Sequence, residues 1–373
     1  MNEDKSSRYH RLRRRADLAG TAVAGLVLFI LTITGAAIGL RDIAATVSAV
    51  LPAPVQNAAT VVLLTSFVFF LLQVFEFPFS LYQGFVLEHR YGLSTQSGAH
   101  WLADQVKGAV LGIGLAVAGA TVVFTALRHW PDDWWWISSA IFAMAMIGLV
   151  RLAPVVLLPM FYRFRPLHRP ELADRLLALA AKARTDVVGV FEWVLSSHTT
   201  KANAALAGIG HTRRILLSDT LLADYSDDEI EVILAHELAH HVHRDLWRGM
   251  AWQGVVLVGG FLVADSVLRR FAAPLGLQEL SDPAGLPLLM LTGGAWSMLM
   301  LPITNGLSRA QERAADRYAL SATGNVEAFV TAMKRLSQQN LAEEYPSVLV
   351  RSLFYSHPPI RERIDAARTH ATP

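Results

Sequence analysis

Six stretches of this chain are each apolar over about 20 residues, the length a helix needs to cross the hydrocarbon core of a bilayer. They are residues 17–40, 58–77, 106–127, 134–160, 249–268 and 284–303. In lipid a backbone polar group must find its partner inside its own segment, so each stretch is expected to be a helix. The first follows a run of basic residues but is too long for the apolar part of a signal peptide, and more spans come after it. The expected fold class is mostly α, a multi-span helical membrane protein.

Between these spans lie two polar stretches. Residues 161–248 are mixed in character and open with Pro166 and Pro170, and residues 304–373 are polar and helix-rich. The chain therefore divides into an amino-terminal membrane domain of four spans (1–160), a soluble insert (161–248), a two-span hairpin (249–303) and a carboxy-terminal block (304–373). Lys and Arg near span ends mark the cytoplasmic side. Lys5, Arg8, Arg11 and Arg13 to Arg15 precede the first span, and Arg163, Arg165, Arg169, Arg175, Lys182 and Arg184 follow the fourth. With six spans, both soluble blocks are expected in the cytoplasm, although Arg269 and Arg270 point the other way. The Ala- and Arg-rich composition reads as bacterial, so the expected location is the inner membrane.

Composition narrows the chemistry. There is no Cys, so no thiolate ligand and no Cys nucleophile, and any metal must rest on the 13 His and the carboxylates. The formal charge of +2 gives no footprint for nucleic acid.

Within the insert, residues 170–184 read as an amphipathic helix. Residues 190–195, 202–209 and 214–217 read as three strands of a short antiparallel meander, punctuated by Gly208 and Gly210. Ser226 with Glu229 three residues later is a capping box that starts the next helix.

That helix contains His236-Glu237-Leu238-Ala239-His240. Four residues carry a helix just past one turn, so both imidazoles share a face and can bind one Zn²⁺, with Glu237 beside them as general base. His243 lies a turn further on and reads as an outer or solvated residue, because one straight helix does not wrap three His around a tetrahedral ion. A third ligand must come from elsewhere. The best candidate is Glu312, in Ser308-Arg309-Ala310-Gln311-Glu312-Arg313-Ala314-Ala315-Asp316. That segment reads as a helix start with Ser308 and Gln311 as a second capping box. Asp316, on the face of Glu312, would accept the free N–H of a ligand His. On spacing alone the segment reads equally as a solvated charged face.

The chain resembles the type I CAAX prenyl endopeptidases, integral-membrane zinc proteases of the gluzincin group. The matching pieces are His236 to His240, Glu312 to Asp316, His357-Pro358-Pro359 with Arg363, Lys201-Ala202-Asn203-Ala204, and Glu88-His89-Arg90-Tyr91-Gly92-Leu93-Ser94. The resemblance implies one Zn²⁺ per chain on His236, His240 and Glu312, with Glu237 catalytic. It further implies Asp316 as a proton donor in some readings and His357 as the second oxyanion donor. Arg363 becomes a bidentate substrate anchor, and Asn203 belongs to an edge strand that pairs with an extended peptide. The expected activity is hydrolysis of lipidated or hydrophobic peptides on a cytoplasmic-side zincin domain, with peptide and membrane lipid as partners. Glu76 and Arg151, in or near spans, would line an internal chamber or pair. The chain departs from the family in that eukaryotic members carry a seventh span and usually have Gly where Ala239 stands. Bacteria generally lack protein prenylation, so of all that the resemblance implies the CAAX substrate carries over least. A quality-control protease, a catalytically dead scaffold and a metal transporter are the competing readings. Intact Glu237 opposes the scaffold, and the polar setting of His236 and His240 opposes the transporter.

Overall fold

The structure is a computed structural model and describes residues 4–208 and 210–370. Helix α1 (Lys5–Ile33) is followed by α2 (Ala36–Ser48) and α3 (Ala53–Leu81). A π-helical stretch, Tyr82–Leu87, carries α3 on into α4 (Glu88–Arg90). Next come α5 (Gly98–His129) and α6 (Trp134–Leu152), which runs through a second π-helical stretch, Ala153–Leu157, into α7 (Leu158–Phe161). Pro154 and Pro159 sit at this second irregularity, where each ring removes a backbone donor.

Among the described residues six helices are long and apolar enough to cross a membrane, and each contains one of the six apolar stretches or most of it. Most of them overrun the stretch at one or both ends. Helix α2, at 13 residues, is about 20 Å long and too short to span alone. Leu64, Val68, Phe124, Leu127 and Trp134 form the centre of the core that joins the spans. Glu76 on α3 is half-buried and Arg151 on α6 is exposed, and among the described residues no ion pair joins them.

The polar part is built from β1 (Arg163–Pro166), α8 (Pro170–Lys182), β2 (Val190–Val194), β3 (Ala204–Ala207), β4 (Arg214–Ser218), α9 (Asp219–Asp224) and α10 (Asp227–Val242). The chain then continues through α11 (Asp245–Phe271), α12 (Leu286–Thr323), α13 (Val326–Gln339), α14 (Val348–Phe354) and α15 (Ile360–His370).

The sheet is not an antiparallel meander. Its order is β1-β2-β4-β3, and β2 runs parallel to β4. Strand β4 inserts between the two strands that precede it in sequence, so β2 and β3 never pair. Strand β1 gives little sequence signal because Phe164 is its one large apolar residue. It is an edge strand, where Pro166 is tolerated. The expected second strand, residues 202–209, reached residue 209, which lies outside the described residues.

Helix α12 also differs from expectation. It is a single helix of 38 residues, about 57 Å long, so no new helix starts at Ser308 and no capping box forms there. Its first turns join the membrane core through Leu286, and its last turns enter the polar core through Ala319 and Leu320. That polar core also takes Leu172 and Leu176 from α8, Ile215 and Leu217 from β4, and Ile230, Leu234 and Leu238 from α10. Phe329 and Met333 from α13 and Ala367 from α15 complete it. One core thus unites the insert with the carboxy-terminal block.

The membrane domain is tied to this unit by Glu88 to Thr95. Ser94 bridges to Thr199, Thr95 N–H donates to the His198 carbonyl at 3.2 Å, and Lys201 Nζ lies 2.9 Å from Glu88 Oε2. Tyr9 OH of α1 donates to the same Glu88 carboxylate. The two short motifs around Glu88 and Lys201 are therefore partners in one contact.

Candidate metal centre

The site grows from α10. Ser226 Oγ accepts the Glu229 N–H and Glu229 Oε2 accepts the Ser226 N–H, so the capping box fixes where the helix begins. Ten residues on, His236 and His240 lie on one face with their rings 5.0 Å apart and nearly perpendicular. Helix α12 packs across that face and brings Glu312 between them. Glu312 Oε2 is 3.3 Å from His236 Nε2, and Glu312 Oε1 is 3.5 Å from His240 Nε2. The three residues offer ligand atoms that all lie within 4.8 Å of one another.

The cluster fits a metal on several grounds. Two donors about 2.0–2.1 Å from one tetrahedral ion sit about 3.3 Å apart, which is the spacing seen between Glu312 and the imidazoles. Glu312 Oε2 is fully enclosed and has no hydrogen-bond partner, as expected of an atom shaped for a cation. Each imidazole has its Nδ1 turned to a carboxylate: His236 to Asp316 Oδ1 and His240 to Asp245 Oδ2, both at 3.0 Å. That arrangement puts the ring proton on Nδ1 and leaves Nε2 as the lone-pair donor. Burial lowers the basicity of His240, yet Glu312 and Asp245 outweigh it and lift its pKa to about 9. The surroundings favour positive charge at that point.

Glu237 is packed beside the pair. Burial raises its carboxyl above the ordinary range, against the pull of His236 and His240. His357, at the foot of α15, brings Nε2 within 3.3 Å of Glu312 Oε1, while Ser356 Oγ lies 2.9 Å from its Nδ1. Arg363 is buried and forks Asp316, with Nε to Oδ2 at 2.8 Å and Nη2 to Oδ1 at 2.6 Å. No spacing links residues 316 and 363 in the sequence, and the fork expected to meet a substrate meets Asp316. Asn203 is exposed one residue before β3, the edge strand beside α10, and its backbone exchanges bonds with Ser218.

His243 stands apart from the cluster, edge-on to Tyr318 at 5.9 Å. Sequence reasoning missed Asp245 altogether. It lies beyond Arg244, whose φ of 57° breaks the helix, so no periodicity carries from His240 to it.

A span bundle whose polar end gathers a buried imidazole, a half-buried imidazole and a buried glutamate at metal-ligand spacing, with the Glu237 carboxylate beside them, defines a membrane metallopeptidase. Comparison with known proteins agrees. Residues 166–371 match Peptidase family M48, and residues 2–163 match the CAAX prenyl protease N-terminal region of five membrane helices. A protein named uncharacterized metalloprotease YhfN, from Bacillus subtilis, is 33% identical over 76% of this chain and 68% of its own length. A CAAX prenyl protease 1 homolog from Arabidopsis thaliana is 27% identical over 79% of this chain and 70% of its own. The crystal structure of S. mikatae Ste24p shares the fold, with a TM-score of 0.84 over 97% of this chain and 88% of the other, at 23% identity. The chain belongs to peptidase family M48 and is a membrane metallopeptidase of the CAAX prenyl protease type.

Proposed function

We propose that the chain is a zinc endopeptidase that cleaves extended hydrophobic or lipid-bearing peptides at the membrane surface, with one Zn²⁺ held by His236, His240 and Glu312. The observation that carries this reading is the convergence of two Nδ1-anchored imidazoles and an unpartnered Glu312 oxygen beside Glu237. Zinc bound there would supply Lewis acidity and a water made nucleophilic near neutral pH.

The remaining steps belong to the protein. Glu237 takes the proton of the attacking water on its carboxylate and delivers it to the leaving amine; its raised proton affinity suits both transfers. His357 Nε2 donates to the carbonyl oxygen as negative charge develops there. Asp316 and Asp245 hold the Nδ1 protons of the two ligand imidazoles, and Arg363 holds Asp316. We assign Arg363 a positioning role, with any substrate contact made through that buried fork. Strand β3 has one unpaired edge, so an extended peptide adds to it as a further strand, with Asn203 at its start.

The relatives named CAAX prenyl proteases support a lipidated-peptide substrate, and the bacterial character of the sequence supports hydrophobic peptides as the wider class. The Lys/Arg bias supports a multi-pass protein of the bacterial inner membrane with its site facing the cytoplasm.

The test compares a farnesylated CAAX peptide with its unprenylated twin, using purified protein with and without chelator. Cleavage that chelator abolishes and zinc restores is expected. Cleavage unaffected by chelator, or none by a zinc-loaded protein with either peptide or with hydrophobic peptides, would overturn the reading.

A further inference from the structure

Helix α12 carries more on the face of Glu312 than the metal site uses. Asn305, Arg309, Glu312 and Asp316 follow at spacings of four, three and four residues, so they form one stripe over about 16 Å of helix. The two carboxylates at the far end serve the imidazoles. Asn305 and Arg309 serve something else. Arg309 Nη1 donates to the carbonyls of Arg351 and Tyr355, at 3.0 and 2.6 Å. Asn305 Nδ2 donates to the carbonyls of Ser352 and Leu353, at 3.3 and 2.9 Å.

All four acceptors sit in the last turn and exit of α14, where a helix runs short of internal donors for its carbonyls. Of the four, the Arg351 carbonyl also accepts the Tyr355 N–H, at 3.3 Å. Donors that carry positive charge are favoured at that end. Among the described residues Arg309 forms no pair with a carboxylate, so the carbonyls are what its guanidinium binds. Helix α14 needs such help. It has seven residues, none of them buried, and Val348 and Leu349 are more than two-thirds exposed. A helix so short does not hold itself, and this one has no core contact to hold it. Two residues past the Tyr355 carbonyl comes His357, whose own side chain is 61% exposed.

We propose that Asn305 and Arg309 are positioning residues for the reaction: they clamp the exit of α14 and so hold His357 within reach of the reacting carbonyl. Because the clamp and Glu312 stand on one continuous helix, the donor and the metal ligand keep a fixed separation. A second contact, Arg14 of α1 to Tyr355 OH at 3.2 Å, steadies the same exit from the membrane side. The inference rests on the reading of His357 as the oxyanion donor.

The experiment uses the full-length, zinc-loaded protein in lipid nanodiscs and an internally quenched hydrophobic peptide. Arg309→Met, Arg309→Lys, Asn305→Ala, His357→Ala and the double variant Arg309→Met/His357→Ala are compared. A misplacement near 1 Å costs about 10²-fold in rate. Arg309→Met is therefore expected to lower kcat by about 10- to 10²-fold with KM and bound zinc unchanged. Arg309→Lys should recover part of the loss, because it keeps the charge without the fork. In the His357→Ala background, Arg309→Met should cost nothing further. Hydrogen exchange should quicken at residues 352–357 and stay unchanged in α10. An equal kcat loss in both backgrounds, or unchanged exchange at residues 352–357, would sink the proposal. If Arg309→Met does not fold, Arg309→Lys and Asn305→Ala are read by the same two criteria. Absence of cleavage by the unmutated protein would count against the peptidase reading, and hydrogen exchange would still decide the clamp.

Discussion

Replacing Asp245 tests how much of the metal site lies outside its three ligands. Its Oδ2 accepts the His240 Nδ1–H at 3.0 Å, and the residue is buried at the first turn of α11. Loss of such an outer carboxylate typically weakens metal binding by about 10- to 10²-fold, or about 1.4–2.7 kcal/mol. The geometry separates two contributions. Asp245→Asn keeps an oxygen at the same place and can still accept from Nδ1, so it should fall near the tenfold end. Asp245→Ala removes the acceptor, frees the ring to turn and leaves a buried N–H unpaired, so it should fall near the hundredfold end. His236, held by Asp316, is untouched in both variants and serves as the internal control. Competition against a chromophoric zinc chelator measures the affinity, and a thermal melt of each metal-free protein checks that the fold survives. An Asp245→Ala protein that folds and binds zinc as tightly as the unmutated chain would refute the reasoning.

Four other outcomes follow from the same geometry. Glu237→Gln should retain zinc and lose about 10²–10⁴-fold in kcat, because the ligands remain and the proton acceptor does not; near-normal turnover would remove Glu237 from that role. Glu312→Ala should lose most of its zinc by elemental analysis, and full occupancy would exclude it as a ligand. Since the chain has no Cys, Thr200→Cys gives one reporter, expected to resist an impermeant thiol reagent outside intact cells; ready labelling would reverse the topology. Asp219 gives a pH test. Burial raises its carboxyl, but the Ser196 hydroxyl and the N–H groups of Leu195, Ser196 and Thr220 outweigh this and hold it below the ordinary range. A carboxyl depressed in the folded state stabilises above its unfolded pKa of about 3.9, and that contribution disappears as pH falls through the folded value. The melting-temperature gap between the unmutated chain and Asp219→Asn should thus be steady from neutral pH to about 5 and shrink below it; a gap that widens in acid would contradict the sign.

What the sequence determined is what local rules write. Six apolar stretches fixed six long helices, since no other backbone satisfies itself in lipid. His236, Glu237 and His240 were legible because 3.6 residues per turn puts the two imidazoles on one face, and Ser226 with Glu229 marked where that helix starts. Spacing alone left Glu312 equal to a solvated charged face, and only resemblance to a known family selected it.

The tertiary structure decided everything that depends on which distant elements pack together. Glu312 meets His236 because α12 crosses α10, and no period links residues 76 positions apart. Helix α12 runs unbroken past Ser308 because its lower half finds a second core in the polar domain, so the fall in hydropathy there marks the end of the membrane and not the end of a helix. Strand β4 lies between β2 and β3, an order that alternation cannot express, because alternation fixes which face a residue takes and says nothing of which neighbour pairs with it. Asp245, the Asp316–Arg363 fork and the Arg309 contacts share the same reason. The fork and the Arg309 contacts are long-range hydrogen bonds, and Asp245, only five residues from His240, reaches it across the break at Arg244. Each is made by an ordinary polar residue whose role exists only once the helices that carry it have come together.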